Sequence, residues 1–369
     1  MKRKIDWFYF ISLAASVGLA LLVGAGIMLI TGHDPVAAYT ALVRGATGCN
    51  TVKEFFTVLF TKRQFGNTIE YAMVLFLTGL ACALGARVGI FYVGGEGQLY
   101  LGAIVSAYVG VVLNGLSPWI VIPAAVLSAM LVGGFYAWIP GVLKVKLKVN
   151  EVITTIMMNT IAIFFCSYLS NGPWKTSIPN RVSGTDNLAA EYMFPKLIRG
   201  SNLTSVIFVS ITIAILVWYV MSKTTTGYEM KLVGENPRFA RFAGLNADKL
   251  VSGAMVVSGM MCGLVGMFEV YGLKGNYQDG ISNEYYFDGL LVAMIMRYKP
   301  VGIIFMSFAF AFLKIGAAGM ELNAGVPGEL YQIIQAVIIF FMAAQNGITS
   351  MVKAAIAKKK AEKGGVNNG

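Results

Sequence analysis

Hydrophobic positions in this chain fall in long unbroken runs, not in the alternation of a half-buried strand or the one-sided stripe of a surface helix. Runs near or above the roughly 20 residues that a helix needs to cross a bilayer recur along its length. Trp7 to Ile30, Thr68 to Leu84, Trp119 to Leu143, Leu203 to Met221 and Leu250 to Tyr271 are among them. They predict an all-α integral membrane protein with many crossings. The first run follows Met-Lys-Arg-Lys, as the core of a signal peptide would. It is too long for one, and "LITGHDP" is a poor cleavage site, so it is expected to stay as an anchor.

The basic residues between the runs set number and orientation. Short loops hold Lys144, Lys146 and Lys148, and again Arg297 and Lys299; a longer one holds Lys223, Lys231, Arg238, Arg241 and Lys249. The tail adds Lys353, Lys358, Lys359, Lys360 and Lys363. Placing all of these in the cytoplasm, with Lys2 to Lys4, requires an even number of crossings. About ten transmembrane helices satisfy it, over roughly 7–30, 68–86, 98–114, 119–143, 151–170, 203–222, 250–271, 285–297, 300–320 and 329–346. Both termini are then cytoplasmic, with a transmembrane domain over 1–350 and a basic tail over 351–369. The loops at about 31–67 and 171–202 would lie outside.

Composition agrees: 57% of the 369 residues are hydrophobic and 13% charged, about half the charge of a soluble domain. The net charge of +11 reads as a topology signal plus a tail near anionic headgroups. A nucleic-acid surface would need those charges on one folded face with aromatics between them, so no nucleic-acid partner is expected. Trp119, Trp138, Trp174, Trp218, Tyr192 and Tyr219 fall near span ends, where an aromatic belt accounts for them.

Two spans are interrupted. "RVGIFYVGGEGQLYLGA" brings five glycines, a glutamate and a glutamine to the start of the third run. Backbone so rich in glycine is not expected to be regular helix, and at membrane depth it must be buried in protein or line a cavity. The run from Tyr285 to Met296 is about a dozen residues and passes through "RYKP" into the next. One interrupted segment in each half is a transporter pattern, with binding paths at the breaks.

Ionisable and amide groups inside spans each need a reason, because a mid-bilayer charge costs about 2.5–3.5 kcal/mol on insertion scales. Glu96 and Gln98 lie in the glycine-rich segment, Asn159 two turns into the fifth span, Glu269 near the outer end of its span, Asp288 in the short span and Gln335 in the last. Either they line a path and hydrogen-bond a polar solute, or they tie spans together and cap helix ends. Asn150 is placed to cap the helix that starts at Glu151. Lys314 and Arg87 are expected to be buried partners or to reach an interface.

No catalytic residue emerges. The chain lacks G-x-x-x-x-G-K-[ST], so it cannot hydrolyse a nucleotide by a P-loop, and it lacks a G-x-S-x-G elbow. Its four cysteines and one histidine, His33, show no metal spacing, and no metal site is expected.

"GENPRFARFAG", residues 234 to 244, reads as a miniature helix between two apolar runs. Asn236 suits the N-cap, Pro237 the first helical position and Gly244 a left-handed exit. Phe239 and Phe242 share one stripe, and Arg238 and Arg241 the stripe beside it. Two turns are too short to be stable alone, so a partner protein or the lipid surface must cover it.

"FYVGGEGQLYLGAIVSAYVG", "KVNEVITTIMMNTIA", "GENPRFARFAGLNADK", "FEVYG", "FDGLLVAMIMRYKPVGI" and "VPGELYQIIQAVIIF" occur in this order over about 68–346. Together they resemble the permease subunits of bacterial ABC importers, in the group shared by branched-chain amino-acid, simple-sugar and nucleoside systems. "VNEVITT" and "VPGEL…IIQA" are most similar to the nucleoside permeases. The resemblance implies a bacterial cell-membrane subunit that pairs with a related permease. A tandem-domain ATPase binding ATP and Mg, and a solute-binding lipoprotein outside, would complete the assembly; the chain itself would carry no cofactor. It also implies that Gly234, Glu235, Asn236, Pro237, Arg238, Phe239, Arg241, Phe242 and Gly244 form the coupling helix that rests on the ATPase. The solute would be a nucleoside, or else a simple sugar such as ribose or a branched-chain amino acid. An ion-coupled secondary transporter and a passive channel or scaffold are the rival classes, and neither needs a coupling helix.

Overall fold

The computed structural model describes residues 7–50, 54, 61–177 and 183–341, with side chains from Ala15 onward. Lys2 to Lys4, the end of the expected tenth span and the whole basic tail lie outside the described residues. Within them the chain is helical, apart from one isolated bridge between Lys196 and Thr204.

The helices in order are α1 (Trp7–Ile30), α2 (Pro35–Thr47), α3 (Arg63–Arg87), α4 (Gly95–Val112), α5 (Pro118–Leu147), α6 (Glu151–Asn171) and α7 (Val206–Lys223). Then come α8 (Thr225–Glu235), α9 (Pro237–Phe242), α10 (Ala247–Glu269) with a π turn (Val270–Lys274), α11 (Tyr285–Ile295), α12 (Pro300–Ala324) and α13 (Leu330–Phe341). Six of these are long and apolar enough to cross a membrane: α3, α5, α6, α7, α10 with its π turn, and α12. The described part of α1, α11 and α13 are shorter apolar helices.

Backbone packing divides the chain into two units, 1–45 with 316–369, and 46–315. In the first, a Cβ on Gly45 would stand 2.7 Å from the Gly319 Cα, so these backbones touch. His33 bonds the Gly325 carbonyl at 3.2 Å, and Gln335 is buried on α13.

In the second unit α3 and α10 stand at the centre. The most apolar window of α3 is 78% buried, against 28% for α6 and for α7. α10 reaches its neighbours through glycine: a side chain on Gly259, Gly263 or Gly266 would strike the backbone carbonyl of Gly133, Ala129 or Leu99. Lipid gives apolar side chains no reason to prefer protein, so such close backbone approach is a main source of helix association in a bilayer. Caps fix where helices start. Asn150 accepts from the Val152 N–H at 2.9 Å, Thr224 from Gly227 at 3.2 Å and Asn246 from Lys249 at 3.0 Å.

Three expectations are corrected. The second span begins at Arg63, not near 68, which carries Glu70 into the helix interior. The glycine-rich run is regular after all: Gly95, Glu96, Gly97 and Gln98 form the first turn of α4, and the break lies just upstream. Its glycines serve close approach, since a Cβ on Gly95 would overlap the Tyr286 ring. The segment at about 31–67, expected as a loop, contains a 13-residue helix, α2.

Candidate functional site

The first break follows α3. Gly89 takes a left-handed turn (φ 79°) and the chain runs without helix to Gly94. Asn159 of α6 closes the gap: its Oδ1 accepts from the Gly97 N–H at 2.9 Å and its Nδ2 donates to the Val93 carbonyl at 2.8 Å. The Glu96 carboxylate accepts from the Tyr286 N–H at 3.1 Å, in the first turn of α11. The carboxyl therefore sits at the positive end of a helix. The Tyr286 hydroxyl donates to the Tyr92 carbonyl at 2.7 Å, and Gln98 Nε2 donates to the Tyr92 hydroxyl. Three of the expected path residues, Glu96, Gln98 and Asn159, thus meet at this break.

The second expected break lies between α11, which ends at Ile295, and α12, which starts at Pro300, with Arg297 and Tyr298 at positive φ. A further irregularity, not expected from the sequence, is the π turn that ends α10. Glu269, the last residue before it, is 2% exposed. Its carboxyl faces that of half-buried Glu70 on α3, with the Tyr285 phenol and Lys274 close by. Next to this pair Asp288 accepts from the Tyr71 hydroxyl at 2.9 Å and pairs with Lys314 Nζ at 3.1 Å. Lys314 also sits 4.9 Å above the Tyr71 ring, and Tyr71 meets Tyr285 edge-on at 5.5 Å. Glu269 and Asp288 therefore belong to one polar belt across α3, α10, α11 and α12. Gln335 lies in the other unit.

Sequence reasoning missed Glu70 and Tyr71 as members of this belt. With the span taken to start near 68, both fell at an apparent edge where a polar side chain needs no reason. The signal available was an acidic residue three positions upstream of Met73-Val74-Leu75-Phe76, an unbroken apolar stretch. Lys314 was expected to be a buried partner or to reach an interface, and it pairs with Asp288.

At the other end of the unit, Asn236 separates α8 from α9. Its Oδ1 accepts from the Phe239 N–H at 3.0 Å, Pro237 is the first helical residue and Gly244 exits at φ 81°. Gly234 and Glu235 close α8. Ala240 is buried, while Phe239 and Phe242 are 57% and 91% exposed. Arg241 pairs with Asp248 in the first turn of α10 at 2.7 Å, so this arginine already has an acidic partner in the chain. A Cβ on Gly234 would strike the Arg87 carbonyl and the Gly89 backbone, so α8 ends directly against the first break.

An apolar groove of about 410 Å³ runs between α3, α7 and α12, with Phe76, Trp218 and Phe308 on its walls. Its one hydroxyl, on Ser210, already donates to the Val206 carbonyl. Such a wall offers a polar solute little beyond the Trp218 indole N–H. Among the described residues no group of three or more His, Cys, Asp or Glu could hold a metal ion.

Long apolar helices, with polar groups gathered at the break between α3 and α4 and at the π turn of α10, define a multi-pass helical membrane protein of transporter type. The chain belongs to the family described as branched-chain amino acid transport system / permease component, whose model matches residues 64–343. It is 32% identical to the nucleoside ABC transporter permease protein NupB of Lactococcus lactis, over 94% of both chains. It is 33% identical to the guanosine ABC transporter permease protein NupP of Bacillus subtilis, over 89% of this chain and 92% of that one. The glucose ABC transporter permease protein TsgB13 of Haloferax volcanii is 30% identical over 91% of this chain and 87% of its own. The two bacteria each have a second permease similar to this chain, NupC and NupQ, both at 23% identity.

Proposed function

We propose that this chain is one of two permease subunits of an ATP-driven ABC importer for nucleosides, in a bacterial cell membrane. The observation that carries this reading is the similarity, end to end, to permeases named for nucleosides and for guanosine. The second permease in each of those bacteria supports a heterodimer with a related chain. Ten crossings with cytoplasmic termini complete the reading; among the described residues a helix lies in each of the ten expected ranges, six of them long and apolar enough to cross a membrane. Partner ATPases would bind ATP and Mg and drive alternating access, and a lipoprotein outside would deliver the solute. The path would run by the polar groups of the second unit, Glu96, Gln98, Asn159, Glu269 and Asp288. A simple-sugar substrate is the second reading, favoured by the similarity to a permease named for glucose.

In this reading Gly234 to Gly244 couple the chain to its ATPase. The two exposed phenylalanines of α9 support it, because burying both on a partner contributes roughly 3–6 kcal/mol before ordering costs. The ion pair of Arg241 with Asp248 ties α9 to α10, and Gly234 sets the end of α8 against the first break. Movement of the ATPase would therefore reach the path through two short connections.

Uptake of labelled nucleosides by cells with and without the gene tests the substrate, with ribose and branched-chain amino acids as competitors. Saturable nucleoside uptake should vanish on deletion. Loss of sugar uptake alone would keep the ABC permease and replace its solute. Phe239→Ala with Phe242→Ala should leave the chain folded, weaken ATPase co-purification and abolish uptake. Normal transport by the double variant would remove the coupling assignment. Co-purification of an ATPase with the unsubstituted chain also rejects the ion-coupled carrier and the passive scaffold.

A further inference from the structure

The facing carboxyls of Glu70 and Glu269 raise a charge problem that the solute path does not answer. Two carboxylates at hydrogen-bond range repel, and burial raises the cost of each unless the charge is balanced. The groups facing them are Lys274 on the π turn, Tyr285 on α11, and uncharged Asn202 and Thr204 from the segment before α7. Lys274 brings one positive charge against two negative. The neighbouring Asp288 and Lys314 balance each other and lend nothing further. The pair is short of one positive charge.

The structure also shows where that charge would sit. Among the described residues no group hydrogen-bonds Glu269 Oε2, although the side chain is almost wholly buried. A cavity of about 10 Å³ lies beside it, walled by both glutamates, Asn202, Thr204 and Gly272. That is room for about one water, far too little for a nucleoside. The space depends on glycine at 272, where a Cβ would come within 3.2 Å of Thr204 Oγ1.

We propose that Glu70 and Glu269 hold one monovalent cation, a proton or a sodium ion, which joins α3 to α10 where α10 passes into its π turn. A proton would be shared between the two carboxyls. A sodium ion would draw on oxygens of both glutamates, with Thr204 and Asn202 in reach. Either one cancels the excess negative charge, and losing it leaves two carboxylates pushing α3 and α10 apart. The site does not depend on which solute the chain carries.

Thermal unfolding of the full chain in detergent tests this, because a ligand held only by the folded state raises Tm. In sodium-free choline buffer, the unsubstituted chain should lose Tm from mildly acidic to mildly alkaline pH if the cation is a proton. At fixed alkaline pH it should gain Tm with sodium chloride, and not with choline chloride, if the cation is sodium. The response should disappear in Glu70→Gln and in Glu269→Gln, each of which removes one negative charge at nearly constant shape. Indifference of the unsubstituted chain to both pH and sodium overturns the proposal. So does a response that both glutamine variants keep in full. Gly272→Ala, which crowds the cavity and leaves both carboxyls in place, is the control should neither glutamine variant fold. It should shrink the sodium response or shift the pH response, and an unchanged response in it also counts against the site.

Discussion

Glu96 and Glu269 invite comparison. Both are buried glutamates inside the helical bundle, 4% and 2% exposed, and both stand where a helix is interrupted. Glu96 receives a backbone N–H from the first turn of α11, and Asn159 beside it is bonded to backbone at both ends of its amide, although Gln98 Oε1 at the same break has no hydrogen-bond partner among the described residues. Glu269 has an oxygen with no hydrogen-bond partner among the described residues, a second carboxyl facing it and a water-sized cavity alongside. Burial alone therefore says little about what a membrane carboxyl is for. What separates the two is whether the bonding capacity is already spent on the fold.

The comparison can be broken most forcefully at the first break. Asn159→Leu removes an acceptor from the Gly97 N–H and a donor from the Val93 carbonyl, both buried. Each orphaned backbone group costs about 1–3 kcal/mol, so the variant should lose about 2–6 kcal/mol of stability. A sharp fall in detergent Tm and in membrane level is expected. A stable variant that fails only in transport would instead make Asn159 a solute contact. Glu96→Ala comes next, since it orphans one N–H, that of Tyr286, at about 1–3 kcal/mol. The same measurement should rank it below Asn159→Leu.

How much of this was legible in the sequence follows the same division. Asn236-Pro237, Gly244 and Asn150 were readable because caps and turns act through local backbone geometry, and the structure places each as its type requires. The apolar runs located the helices, because bilayer thickness dictates length. The glycine-rich start of α4 was misread as irregular because glycine signals either backbone freedom or close approach. Only the partner, here the Tyr286 ring, decides between them. Glu70 and Tyr71 were missed for a similar reason. Their partners lie about 200 residues away in α10, α11 and α12, and no local pattern records such a contact.

Glu269→Gln should have the smallest effect on stability, and it probes the other side of the comparison. Glutamine keeps the size of the side chain and an acceptor oxygen, and it ends the repulsion with Glu70. Its stability should stay within about 1 kcal/mol of the unsubstituted chain, inside the range of mild substitutions. Uptake should change by more than membrane level, because the variant alters charge at the π turn without opening a hole in the fold. Quantitative immunoblotting beside initial uptake rates separates the two. If uptake falls only in proportion to the amount of protein, Glu269 is a tie between helices, and the distinction between spent and unspent carboxyls loses its functional meaning. If uptake falls at constant protein level, the unpaired oxygen at the end of α10 takes part in the transport cycle.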